Sequence, residues 1–173
     1  MSGQIHKTTI HTGSIEALEA VWGTLVTNAA AAASTAWPSA NLGIFVPFKL
    51  SGSYTVNFVF WCNGATVGNG TACVAVYDTA ASPARLLTCS ATTTAGASIV
   101  QKVDITPVAL SAGQYYMAIS LSSATDTLLR WSTAQARYAA MSGCAQQASV
   151  GTLPNPATLA TIPVFGIGNG PTI

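Results

Sequence analysis

Residues 54–62 read Tyr54-Thr55-Val56-Asn57-Phe58-Val59-Phe60-Trp61-Cys62, and this stretch decides the fold class. It opens with aromatic and polar residues in alternation, then turns apolar on successive positions from Phe58. Alternation at a period of two is the mark of a β-strand, and the run has strand length. An apolar run on both faces predicts a strand entering a sandwich interior or an inter-subunit contact. Immediately downstream, Asn63-Gly64 and Asn69-Gly70 are turn dipeptides, because both residue types tolerate positive φ. Residues 71–77, Thr71 to Tyr77, form the next strand-like run. The spacing predicts one hairpin, with Trp61, Asn63, Asn69, Tyr77 and Asp78 on it and at its ends.

The same pattern continues outward in both directions. Strand-like runs recur at residues 44–48, 85–91, 99–105, 115–119, 127–132, 136–141 and 162–167. Ser82-Pro83, the Thr/Ala/Gly segment 92–97, Gly113 and the Gly/Pro/Ala-rich stretch 143–161 punctuate them. Short strands separated by turns at this spacing indicate an all-β, antiparallel sandwich of jelly-roll type or a barrel. Gly113 ahead of Tyr115 predicts a tight turn whose carbonyls a Tyr hydroxyl can reach, the logic of a tyrosine corner. Asp104 before Ile105-Thr106-Pro107 is expected to hold a strand exit through its short acceptor side chain.

The first 40 residues differ. Ile15, Leu18, Trp22 and Leu25 fall at helical spacing, continued by Ala29 and Ala32. Ser14 caps the first turn, and Trp37-Pro38 ends the pattern. This predicts an N-terminal arm or short helix over 1–40 and a β body over 41–173. The apolar stripe packs on that body, forms a coiled-coil-like seam between copies, or belongs to an extended arm.

Charge is scarce. Of 173 residues, six are Lys/Arg and five Asp/Glu, for a net charge of +1. A domain of this length ordinarily carries roughly 43 charges at about 25%. Six scattered cations supply no stripe for phosphate backbones, so no nucleic acid is expected as a partner. Mean hydropathy is +0.45, yet no run of about 20 apolar residues exists to span a membrane as a helix. The N-terminus has no apolar stretch of the secretory kind, so synthesis in a cytoplasm without a signal peptide is expected.

Chemistry-bearing groups are few. Cys62, Cys73, Cys89 and Cys144 make no C-x-x-C and read as free thiols, with Cys62 and Cys73 the pair best placed for any disulfide. Glu16 and Glu19 read as a solvated pair on one helix flank. Asp78 and Asp126 lack the clustered oxygen ligands calcium needs and the paired spacing of a glycosidase. Both histidines, His6 and His11, lie in the first eleven residues. No enzyme activity, metal or cofactor is expected. A glycan site is the alternative. It would use Trp61 and Tyr77 against sugar faces, with Asn63, Asn69 and Asp78 fixing hydroxyls; the competing reading makes the two aromatics core or interface residues and the Asn-Gly pairs plain turns.

Three segments together resemble a known group. They are Trp37-Pro38-Ser39-Ala40-Asn41 leading into Ile44-Phe45-Val46-Pro47-Phe48, then Trp61-Cys62-Asn63-Gly64-Ala65 leading to Val74-Ala75-Val76-Tyr77-Asp78. The third is Val103-Asp104-Ile105-Thr106 followed by Leu110, Gly113, Tyr115, Tyr116 and Ala118. In this order they resemble the small β-sandwich modules of tailed-bacteriophage virions, found in tail fibres, minor tail proteins and capsid decoration. The resemblance implies a non-enzymatic structural protein located on the virion, assembled as a homo-oligomer, with a trimer implied, beside other virion proteins. The alternative to this reading is a carbohydrate-binding module that recognises a host surface glycan. The charge deficit points the same way, because a nearly neutral apolar surface has little electrostatic protection against association.

Overall fold

The computed structural model describes residues 32–68, 70–92, 96–131 and 143–161. Ten strands run through them: β1 (Ala32–Ala36), β2 (Leu42–Leu50), β3 (Tyr54–Cys62), β4 (Thr71–Tyr77), β5 (Arg85–Thr92), β6 (Val100–Leu110), β7 (Gly113–Leu121), β8 (Thr127–Trp131), β9 (Ala145–Gln147) and β10 (Ala160–Thr161). Their pairings are all antiparallel. Six strands form one sheet in the order β10-β9-β2-β7-β4-β5, while β1 with β8 and β3 with β6 form two ribbons.

The ribbons are joined where β3 ends. Asn63 bridges Leu128, the Gly64 N–H donates to the Thr127 carbonyl at 2.8 Å, and the Thr127 N–H donates to the Thr66 carbonyl at 2.9 Å. A Cβ on Gly64 would collide with the side chains of Thr127 and Ser34, so glycine is what lets the chain pass this close to that hydroxyl pair. The second layer therefore runs β1-β8-β3-β6 against β2-β7-β4-β5. That interleaving of alternate strands is an eight-stranded jelly roll, with β9 and β10 extending the larger sheet beyond β2.

The main core lies between the layers. Ile44, Val46, Val74, Val76, Ile119 and Leu121 of the large sheet meet Val59, Trp61, Leu110, Leu128 and Trp37. The alternate residues Phe45, Cys73, Ala75, Tyr77 and Ala118 point away from that core and are buried as well. Val150, Leu153 and Ala157, from the strap of chain over residues 148–159, cover them. Burial on both faces explains why β2 and β4 are apolar at consecutive positions.

Several expectations change here. β3 and β4 make no hairpin: β3 pairs with β6, and β4 lies between β5 and β7. The Asn63-Gly64 step carries the chain from one layer toward the other. β3 is buried on one face only, with Val59 and Trp61 inside while Phe58 and Phe60 remain 45% and 51% exposed. The strand expected at 99–105 runs on to Leu110, so Asp104 sits mid-strand, exposed and paired to Lys102, and holds no strand exit. The stretch 143–161, read as loop, contains β9 and β10. Ala32 and Ala33, read as the end of a helix, begin β1, so the β body reaches back to at least residue 32. The helix up to residue 31 and the strands expected at 136–141 and 162–167 lie outside the described residues. Tyr115 behaves as expected: its hydroxyl donates to the Ser111 carbonyl at 2.8 Å across the turn before β7.

Candidate functional site

The five residues singled out for a glycan site separate into different environments. Trp61 is 1% exposed and stands in the inter-layer core. Its indole N–H donates to Asn63 Oδ1 at 2.9 Å. Asn63 is fully buried, and its amide donates to the Gly96 carbonyl at 3.1 Å and to Gln101 Oε1 at 2.9 Å. These bonds tie the end of β3 to β6 and to the loop before it. They satisfy buried polar groups that would otherwise be costly.

Tyr77 lies on the opposite face of the large sheet, fully buried beneath the strap. Its ring tilts against Phe45 with centroids 5.3 Å apart, and its hydroxyl donates to the Pro154 carbonyl. Burial pushes its pKa up to about 12; nearby Arg85 lowers it and Cys73 adds a smaller upward push. Asp78 Oδ1 accepts the Ala80 and Ala84 N–H groups, which closes the loop between β4 and β5. Trp61 and Tyr77 thus sit on different sides of the large sheet, and neither presents a ring face to solvent. Asn69 lies outside the described residues, as do the stripe residues Ile15, Leu18, Trp22 and Leu25.

The titratable groups are also dispersed. Asp126 is buried, with Gly70 N–H donating to Oδ2 at 3.1 Å, and a Cβ on Gly70 would occupy the carboxylate's place. Asp126 therefore lies at the start of β4 and Asp78 at its end, about 23 Å apart along a seven-residue strand. They form no joint site. Cys62, Cys73 and Cys144 form no disulfide bond among the described residues. Cys73 faces the strap and Cys62 follows Trp61 on the outward side of β3, so the large sheet and the core lie between the pair considered for a disulfide. Burial raises the Cys62 pKa and pushes that of Cys144 up to about 12. That is the reverse of the shift that activates a thiolate nucleophile. Among the described residues, no three His, Cys, Asp or Glu side chains gather where they could hold a metal, and no helix is long and apolar enough to cross a membrane.

The feature the sequence reading placed only in general terms is the outer face of the β3–β6 ribbon. Phe58 pairs across strands with Asp104, Phe60 with Lys102, and Cys62 with Val100. Lys102 Nζ stands 4.6 Å from the Phe58 ring centroid and 2.8 Å from Asp104 Oδ1. Val100 is 61% exposed, and Ile99 beside it 42%. This is an apolar surface carrying one cation and one anion, suited to packing against another protein surface. The inter-subunit alternative for residues 58–61 pointed at this strand. Which of its residues face outward depends on the bulge between Val56 and Phe58, and a bulge has no unique sequence mark. Comparison with known protein families, with curated proteins and with solved structures finds no match to this chain.

Proposed function

We propose that the chain is a non-enzymatic structural component of a tailed-phage particle. It acts as a homo-oligomer in contact with other virion proteins, on the tail or fibre or on the capsid surface. The observation that carries this reading is the pairing of a jelly-roll sandwich with a half-exposed aromatic face on its smaller layer among the described residues. Jelly rolls serve repeatedly as capsid and lectin domains, and an apolar patch on a chain with so few charges is stabilised by burial in an assembly. The carboxylates of the β body support the same reading, since Asp126 and Asp78 accept backbone N–H groups and Asp104 pairs with Lys102.

The test is detection of the chain in purified particles. Mass spectrometry of banded particles is expected to find it in stoichiometric amount, and gold-labelled antibody to decorate one defined location on intact particles. A chain that stays wholly in the soluble fraction of lysates containing mature particles overturns the proposal.

A further inference from the structure

We propose that the outer face of the β3–β6 ribbon is a self-association surface, on which a second copy of this chain docks about a two-fold axis. The inference deepens the reading of the chain as an assembly component and rests on it for the identity of the partner. Its geometry comes from four side chains. Phe58 and Asp104 form one cross-strand pair and Phe60 and Lys102 the next. All four point outward: the two Phe rings lie 6.5 Å apart, and Lys102 touches both Phe58 and Asp104. Their neighbours Val59, Trp61 and Gln101 are buried on the inner side.

This block is complementary to itself. A two-fold axis lying in the face, perpendicular to the strands and midway between the two pairs, reverses strand direction and keeps β3 over β3. It sets Phe58 against the partner's Phe60 and Lys102 against the partner's Asp104, each contact occurring twice. Aromatic meets aromatic, and each charge meets its opposite. An axis along the strands instead lays Lys102 over the partner's Phe60 but Asp104 over the partner's Phe58, an anion on the negative face of a ring, so only half of its contacts are favourable. Docking uses the face rather than the strand edge, because β6 carries Pro107 and two charged side chains, devices that block edge pairing. Two strands of this length present roughly 300 Å² per copy, less than the about 800 Å² of a standard interface. The dimer is therefore dissociable and concentration-dependent.

Sedimentation of the full chain over a wide concentration range tests this. The wild type is expected to pass from one copy to two. Lys102→Asp sets acid against acid, and Asp104→Lys sets base against base, so each variant alone is expected to dimerise at least about tenfold more weakly. An equimolar mixture of the two variants has opposite charges at both contacts and is expected to recover dimers. Phe60→Ser, with unchanged circular dichroism, is expected to lose them. A wild type that remains single, a trimer, or variants that dimerise like the wild type overturn the two-fold face. Presence of the chain in purified particles is scored independently, so the docking face and the virion assignment fail separately.

Discussion

Asn63 is a turn residue by type and a core residue by position. Its side chain links Trp61, Gly96 and Gln101 in a fully buried setting. Asn63→Ala leaves the indole N–H and the two acceptors without this partner, and each such loss costs about 1–3 kcal/mol. Urea denaturation is expected to show a destabilisation of about 2–4 kcal/mol; a change within experimental error would mean the network does not hold the β3–β6 joint. Tyr77 gives a pH signature. Its hydroxyl ionises near 10 in the unfolded chain and at about 12 in the fold. Between those values the unfolded state has released a proton that the native state retains, so stability falls as pH rises through this window. Cys144 acts in the same direction from pH 9 upward. Thermal melts of the wild type are expected to drop from pH 9 to 12, and Tyr77→Phe to flatten the part above 10. An identical alkaline decline in that variant would remove Tyr77 as its cause.

Among the elements, the strap over residues 148–159 is the least regular and is tightly tied down. Arg85 Nη1 donates to the Leu153 carbonyl, Arg85 N–H to Asn155 Oδ1 at 2.9 Å, and Ala157 N–H to the Pro83 carbonyl at 2.9 Å. Leu153 is fully buried against Phe45 and its neighbours. Leu153→Ala is expected to cost about 2–5 kcal/mol, the range for deleting a core Leu side chain, and to speed hydrogen exchange in β4. A loss below about 0.5 kcal/mol, the level of a surface change, would show that the strap merely rests on the sheet. Its Pro and Gly residues read as loop, since nothing in a Gly/Pro-rich stretch shows that it lies across a sheet. The strand runs themselves were legible: β2, β4, β5, β7 and β8 fall where alternation and turn residues put them. Partner choice was not. Alternation reports which face of a strand is buried and is silent on which strand lies beside it, so consecutive β3 and β4 read as a hairpin. The same silence affected the site, because a Trp and a Tyr flanking Asn-Gly turns have one pattern whether their rings face a core or a sugar. Tyr115 was legible because its bond to Ser111 is local in sequence.

At the scale of the whole molecule, a jelly roll makes its first strand depend on its eighth. β1 lies in the segment assigned to an N-terminal arm over 1–40, yet Ala32–Ala36 pair residue by residue with Thr127–Trp131. Ser34 Oγ donates to Thr127 Oγ1 at 2.9 Å and accepts the Ala65 N–H at 2.6 Å, at the joint that fuses the two ribbons. Next along the chain, Trp37 is 2% exposed in the core and its indole N–H donates to the Leu42 carbonyl at 2.8 Å. The arm and the body are therefore not separated at residue 40, and two truncations distinguish what belongs to each. Removing residues 1–36 strips β8 of its partner, opens a sheet edge and leaves Thr127 without Ser34. Removing residues 1–31 spares all of these contacts. With a typical buried hydrogen bond contributing about 0.5–1.5 kcal/mol, the longer deletion is expected to be the less stable by at least about 2 kcal/mol. Denaturation midpoints of the two chains, compared at one protein concentration so that association does not enter, measure the difference. Equal midpoints would mean that β1 adds nothing to the fold and that the smaller layer begins at β8.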